Sequence, residues 1–216
     1  MGLYQVTIAI TVGIFMMLAM GLNIITGYTG QVSLGHAAFF GIGAYTSALL
    51  SVKAGVSFWL ALPAAAIVTA AIGAILGAIS TRLHDDSLAI TTIGINFVVV
   101  SVFQYTQFFG GALGVGGIEY PSVLGHALTK PEYLVVVVVC VLLGIWFDRR
   151  LVRSWLGLAL RAVGQNEEAA ESLGIPSARF KIAAFAIGTA YAGVAGSLYA
   201  HFMTFISARD FGFPTS

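Results

Sequence analysis

The sequence predicts an all-α fold, a polytopic bundle of about six transmembrane helices with one broken or re-entrant segment near 27–36. Three observations carry this. Of 216 residues, 58% are hydrophobic and only 9% charged, whereas an average soluble domain carries about 25% charged residues; so few charges cannot cover a water-facing surface. The 10 basic and 9 acidic residues leave 1–52, 54–81, 87–118, 133–147 and 182–208 without charge, and such runs of 18 or more residues read as membrane spans. Glycine is 26 of 216 residues, which suits close helix packing in lipid.

The elements follow in order. About 20 residues cross the hydrocarbon core, which places spans near 3–25, 58–81, 87–109 and 182–202. The run 133–147 is short, but Pro131 suits a first helical turn. Trp146, Arg149 and Arg150 make an interfacial end, so this is a fifth span. The stretch 27–52 is apolar, yet Gly27, Gly30, Gly35, Gly41 and Gly43 crowd it. It reads as irregular backbone near 27–36 followed by a helix over about 37–52. Non-helical backbone at membrane depth survives only where protein or a water-filled cavity covers it, which makes this segment a pathway candidate. Gly73 with Gly77, and Gly188 with Ala192 and Gly196, are small-residue pairs read as helix contacts within the chain. The whole of 1–216 reads as one transmembrane domain.

Lys and Arg set the orientation. Loop 148–181 holds Arg149, Arg150, Arg153, Arg161, Arg179 and Lys181, so it is predicted to be cytoplasmic. Residues 110–132, Lys53–Ser57 and Met1 then lie outside. Met1–Gln5 has no basic residue and so no signal-peptide n-region. A net charge of +1 without a wider basic stripe excludes nucleic acid as a partner. Cys140 is the single cysteine, which rules out an intrachain disulfide and suits a small core residue.

The cytoplasmic loop is the most informative stretch. Arg149–Val163 has a helical pattern, with Leu151, Val152, Trp155, Leu158 and Ala159 opposite the arginines, as in a helix lying at the membrane surface. Gly164 is expected to break it. Asn166 is a good N-cap, Glu167 and Glu168 stand in a favourable first turn, and Gly174 with Pro176 closes a helix of about seven residues. So short a helix is unstable by itself. On the residues alone, a docking element and a solvated connector both remain open.

A resemblance separates these readings. Glu168-Ala169-Ala170-Glu171-Ser172-Leu173-Gly174 matches the EAAxxxG core of permease subunits of bacterial ABC importers, and Gly21–Tyr45, including Gly27-Tyr28-Thr29-Gly30-Gln31-Val32-Ser33-Leu34-Gly35-His36, is similar to the branched-chain amino-acid permeases. Arg82-Leu83, Leu88–Gly94 and the glycine-rich 110–117 resemble the LivM-type member rather than its LivH-type partner. The chain departs from the family at His84-Asp85-Asp86, where members carry Gly near position 85. Members also continue for two or more spans, so the resemblance implies a C-terminally truncated chain.

The resemblance implies a multi-pass permease subunit in the bacterial inner membrane, translocating branched-chain or related hydrophobic amino acids. Its implied partners are cytoplasmic ATP-binding subunits, a second, LivH-like permease subunit and a periplasmic binding protein, with membrane lipid around it. The chain has no GxxxxGK[ST]. It is therefore expected to be a transport subunit rather than an enzyme, with no cofactor of its own and ATP-Mg bound by the ATPase. Glu168, Ala169, Ala170 and Gly174 are the expected coupling residues: an acid for a partner's basic group, two small side chains for close approach, and a left-handed turn. Gln31, Ser33, His36, Asn96 and Gln104 are pathway candidates, because polar groups at membrane depth are functional candidates by default; interhelical hydrogen bonding is the competing role. His201 is expected at the interface.

Rival readings stand beside this one. A urea or short-amide permease of the same family differs only in cargo. An ion-coupled secondary transporter would place an acid inside a span, and none lies there. A channel would use 110–117 as a re-entrant loop. An intramembrane enzyme would need a catalytic constellation that the sequence does not contain.

Overall fold

The computed structural model describes residues 2–81, 85–123 and 126–212. Arg82, Leu83 and His84, with the side chains of Asp85 and Asp86, lie outside the described residues, and so does 213–216; the expectation about the Arg82 loop falls there. The elements are α1 (Leu3–Leu22), continued as a π-helical turn over Asn23–Tyr28, α2 (His36–Ala54), α3 (Phe58–Ser80), α4 (Asp85–Tyr105), α5 (Lys130–Val152), α6 (Trp155–Gln165), α7 (Glu167–Ser172) and α8 (Ser177–Met203). Short strands β1 (Val115–Gly116), β2 (Ser122–Val123), β3 (His126–Ala127) and β4 (Phe205–Ile206) pair as β1 with β4 and β2 with β3, both antiparallel.

Among the described residues, five helices are long and apolar enough to cross a membrane: Leu3–Tyr28, His36–Ala54, Phe58–Ser80, Ser87–Tyr105 and Ser177–Met203. The 23-residue α5 is the sixth long helix. It runs parallel to α1, with Gly13 against Val137 and Gly144 against Met17. It exceeds the predicted 133–147 at both ends. Thr129 and Glu132 form a capping box before it, and Arg149 and Arg150 stand in its last turn, where cations offset the exposed carbonyls of the helix dipole.

α8 is the hub, packing against α1, α2 and α3, and glycine makes each crossing close. Gly188 meets Gly21 of α1, Gly43 of α2 lies against the Gly193 backbone, and Gly73 and Gly77 of α3 meet Thr189 and Ile182. A Cβ at Gly43 would come within 2.5 Å of the Gly193 Cα. The small-residue pairs are therefore contacts within the chain. Removing side chains lets helices approach and gain dispersion contacts, the main attraction available in lipid.

The two ends of the bundle differ. One holds Tyr28–Gln31, Ser80, α6 and α7; this is the basic end. The far end holds Lys53, 106–123 and 204–211. There the glycine-rich 110–117 folds as a 3-10 turn (Gly111–Leu113) and strand β1 against β4, and the Lys53 Nζ donates to the Phe108 carbonyl at 2.8 Å. The segment is thus pinned to the chain that follows α8.

His201, expected at the interface, stands near the far end of α8 and is enclosed by protein. It is 0% exposed, with Nε2 3.0 Å from the Ser47 hydroxyl and Nδ1 2.8 Å from the Glu119 carbonyl. A carbonyl only accepts, so Nδ1 donates to it; in the neutral ring Nε2 then accepts from Ser47, which in turn accepts from Ser197 at 2.7 Å. The ring lies near the end of α8, buried in protein. It clasps α2, α8 and the far-end loop together.

Candidate functional site

At the basic end, helix breaks bring the predicted regions together. The irregular stretch is 30–35, shorter than expected, because Gly27 stays inside the π-helical turn. A Cβ on Gly27 would overlap the Asn23 side-chain oxygen, so Gly27 makes room for Asn23 and does not end the helix. Gly30 has φ +69°, and it turns the chain back into the bundle. Six residues later α2 starts at His36, which lies near Gly21 of α1 and so below the surface.

Neighbouring helices supply two partners to this stretch, one for its backbone and one for a side chain. The Leu34 N–H donates to the Thr92 Oγ1 at 3.0 Å. Gln31 is 1% exposed; its Nε2 donates to the Ser80 Oγ at 3.1 Å, and its Oε1 accepts from the Thr29 Oγ1 at 3.2 Å. Gln31 thus ties the break to α3. Ser33, His36 and Asn96 are also buried, but the Ser33 hydroxyl and both Asn96 amide atoms have no hydrogen-bond partner, and the His36 ring has only the Leu18 backbone beside it. His36 faces α1 near Leu18 and Gly21. Asn96 stands one helical turn beyond Thr92, the α4 residue that meets the break. Gln104 is half-buried toward the far end of α4. No hydrogen bond joins these five residues to one another. A cleft of about 560 Å³ between α2, α3 and α4, lined by Ile42, Tyr45, Leu49, Lys53, Ile72 and Phe103, contains none of them.

The loop differs from its expected form in three respects. The basic surface helix is two pieces: the end of α5 carries Arg149 and Arg150, and α6 starts after Ser154, whose hydroxyl caps the Gly157 N–H at 3.3 Å. Gly164 does not break α6, which continues to Gln165. A Cβ on Gly164 would lie 2.5 Å from the Tyr28 carbonyl oxygen, so this glycine seats α6 on the end of α1. Ala159, Leu160 and Val163 form the buried face, while Trp155 and Leu158 point outward. The Arg161 guanidinium lies 5.5 Å from the Tyr28 ring centroid, and the Tyr28 hydroxyl donates to the Asp148 carboxylate at 3.1 Å. The ends of α1, α5 and α6 are therefore joined around Tyr28.

α7 is capped as its sequence predicts. The Asn166 Oδ1 accepts from the Ala169 N–H at 2.9 Å, and Gly174 has φ +82°. Ala170 is turned inward and buried, whereas Glu168, Ala169 and Gly174 are exposed. Leu173 is 81% exposed, an apolar side chain standing free at the tip. Two contacts hold α7 to the start of α8: the Lys181 Nζ pairs with Glu167 at 2.6 Å, and the Ser177 hydroxyl donates to Glu171. Burial pushes the Glu167 carboxyl up, but the hydrogen bond and charge of Lys181, with the Ser177 hydroxyl, outweigh this and hold it below the usual carboxylate range.

Sequence reasoning missed Tyr28, Asp148 and Lys181 as joints. The available signals were a lone acid directly after a span and a lysine fourteen residues beyond Glu167.

The family described as branched-chain amino acid transport system / permease component matches residues 4–216. The chain belongs to this permease family. It is 35% identical to the high-affinity branched-chain amino acid transport system permease protein LivM of Salmonella typhimurium, over 98% of this chain and 56% of that protein. The LivM of Escherichia coli gives the same 35%, over 98% and 56%. A putative glucose ABC transporter permease protein of Haloferax volcanii is 31% identical over 86% of this chain and 51% of its own. The chain thus spans about half the length of the curated relatives it matches. No solved structure matches it. Within that family it is LivM-like, and it carries several helices apolar enough to span a membrane.

Proposed function

We propose that this permease translocates branched-chain or related hydrophobic amino acids across the bacterial inner membrane, with loop 148–181 cytoplasmic. A separate ATPase subunit holding ATP-Mg would drive it, a LivH-like subunit would complete the pathway, and a periplasmic binding protein would deliver cargo. Six basic residues in that one loop support the orientation. One observation carries the mechanism. α7 offers Glu168, Ala169 and Leu173 to a partner, and the adjoining α6 seats Gly164 on Tyr28–Gly30, where α1 breaks.

A push on α7 would therefore reach the irregular backbone at 30–35. Glu168 would meet a partner's basic group, Ala169 would allow close approach, and Gly174 and buried Ala170 would hold the tip in shape. Ser33, His36 and Asn96 would serve as pathway groups, a reading supported by their unused polar capacity inside the bundle. Gln31 serves as a structural tie beside them, and Gln104 stands nearer the far end.

Vesicles bearing the whole complex test this reading. Leucine uptake coupled to ATP hydrolysis is expected, and uptake of urea without leucine would sink the assignment. Glu168→Lys is expected to lower substrate-stimulated ATP hydrolysis about tenfold or more, the loss of one charge-assisted contact, without lowering the amount of folded permease. Unchanged hydrolysis and unchanged subunit binding would remove the coupling role.

A further inference from the structure

The outward face of α5 carries a feature that transport does not use. Tyr133, Val137, Gly144 and Leu151 are buried, on the side turned to α1. Trp146, Arg149, Arg150 and Arg153 stand at i, i+3, i+4 and i+7, one stripe on the opposite side. With Ser154 they line a pocket of about 500 Å³. Among the described residues the one ion pair is Lys181–Glu167, so none of these three guanidiniums has a carboxylate partner.

Trp146 also lines a second cavity. This groove of about 540 Å³ runs between α3, α5 and α8, and its wall includes Leu62, Ala70, Leu143, Phe147, Ala190 and Val194. One cavity is basic and the other almost wholly apolar, and they share the indole. Tryptophan favours the boundary between hydrocarbon and water, which sets the arginines at headgroup depth and the groove at acyl-chain depth.

We propose that the two cavities form one site for an anionic phospholipid, its phosphate held by Arg149, Arg150 and Arg153 and an acyl chain laid in the groove. Guanidinium forks match phosphate oxygens with paired hydrogen bonds, and basic pockets at the ends of membrane helices recognise anionic headgroups. A zwitterionic lipid brings the same phosphate with an ammonium that three unpaired cations repel. A free phosphate ion would use the arginines and leave the groove empty. The site stands on this geometry whether or not the chain transports amino acids.

The test is lipid retention by the full chain in phosphatidylcholine nanodiscs, read by native mass spectrometry. Phosphatidylglycerol, phosphatidylethanolamine and inorganic phosphate are added in separate arms. Phosphatidylglycerol is expected to be retained about tenfold better than phosphatidylethanolamine, and excess inorganic phosphate is expected not to displace it. R149Q/R150Q/R153Q should abolish the preference, and R149K/R150K/R153K, which keeps the charge, should keep part of it. Ala190→Phe, which fills the groove with the arginines intact, should weaken retention several-fold at an unchanged unfolding midpoint. Equal retention of the two lipids, indifference to the arginine-to-glutamine changes, displacement by inorganic phosphate, or indifference to Ala190→Phe would each overturn the proposal.

Discussion

Two of the helix interruptions at the basic end are closed in opposite ways. The break at 30–35 lies among helices, so its groups reach elsewhere: Leu34 to Thr92 on α4, and Gln31 to Ser80 on α3. The turn that ends α7 lies at the surface and closes on itself, with the Gly174 N–H on the Glu171 carbonyl and the Ile175 N–H on the Ala170 carbonyl. Water completes what a surface turn leaves open. Inside lipid an unpaired backbone group costs several kcal/mol, so a buried break must take partners from its neighbours. The first interruption is thus bound to the stability of the bundle, and the second is free to respond to a partner.

Substitutions at the break should therefore cost stability, and those at α7 should not. The largest effect is expected for Gly35→Val. Its Cβ would overlap the Thr92 carbonyl oxygen, an overpacking worth about 1–3 kcal/mol, seen as a lower unfolding midpoint in detergent. Gly174→Ala strains a left-handed turn by about 1 kcal/mol, but it should leave that midpoint in place. Gln31→Leu comes next. Loss of its two hydrogen bonds should cost about 0.5–2 kcal/mol, and a midpoint equal to that of the unaltered chain would show that Gln31 is no tie.

The smallest effect is a pH dependence confined to α7. The Glu167 carboxyl is held low in the folded state, so its contribution is present above the ordinary carboxylate pKa and is lost as the pH falls through the lowered folded value. Hydrogen exchange at α7 should rise on acidification toward that value while α8 stays protected. Lys181→Met should flatten the change.

Much of this was legible in sequence because the signals were local. Charge-free runs located the helices to within a few residues, and Asn166 and Gly174 marked α7 because caps depend on neighbours in sequence. Glycine was ambiguous. Gly30 turns the chain, whereas Gly27 and Gly164 sit inside helices to let Asn23 and Tyr28 approach, and the same missing Cβ serves both ends. Only the tertiary neighbour tells them apart. The partners of His201 were hidden for a related reason: Ser47 and Glu119, which enclose the ring, are far away in sequence. Ser33, His36 and Asn96 were found as polar groups at depth, but the state of their pairing depends on three-dimensional spacing.

α8 has a mechanical consequence. Its 27 residues make a rod about 40 Å long, gripped along its length by glycine contacts that resist bending more than sliding. One tip is fastened to α7 through Lys181 and Ser177, and the other leads through Thr204 into the strand that holds Val115 and Gly116. A load applied at Glu167 is thus carried along a stiff shaft to the opposite end of the bundle, where a two-residue strand pair is the weakest coupling in the train.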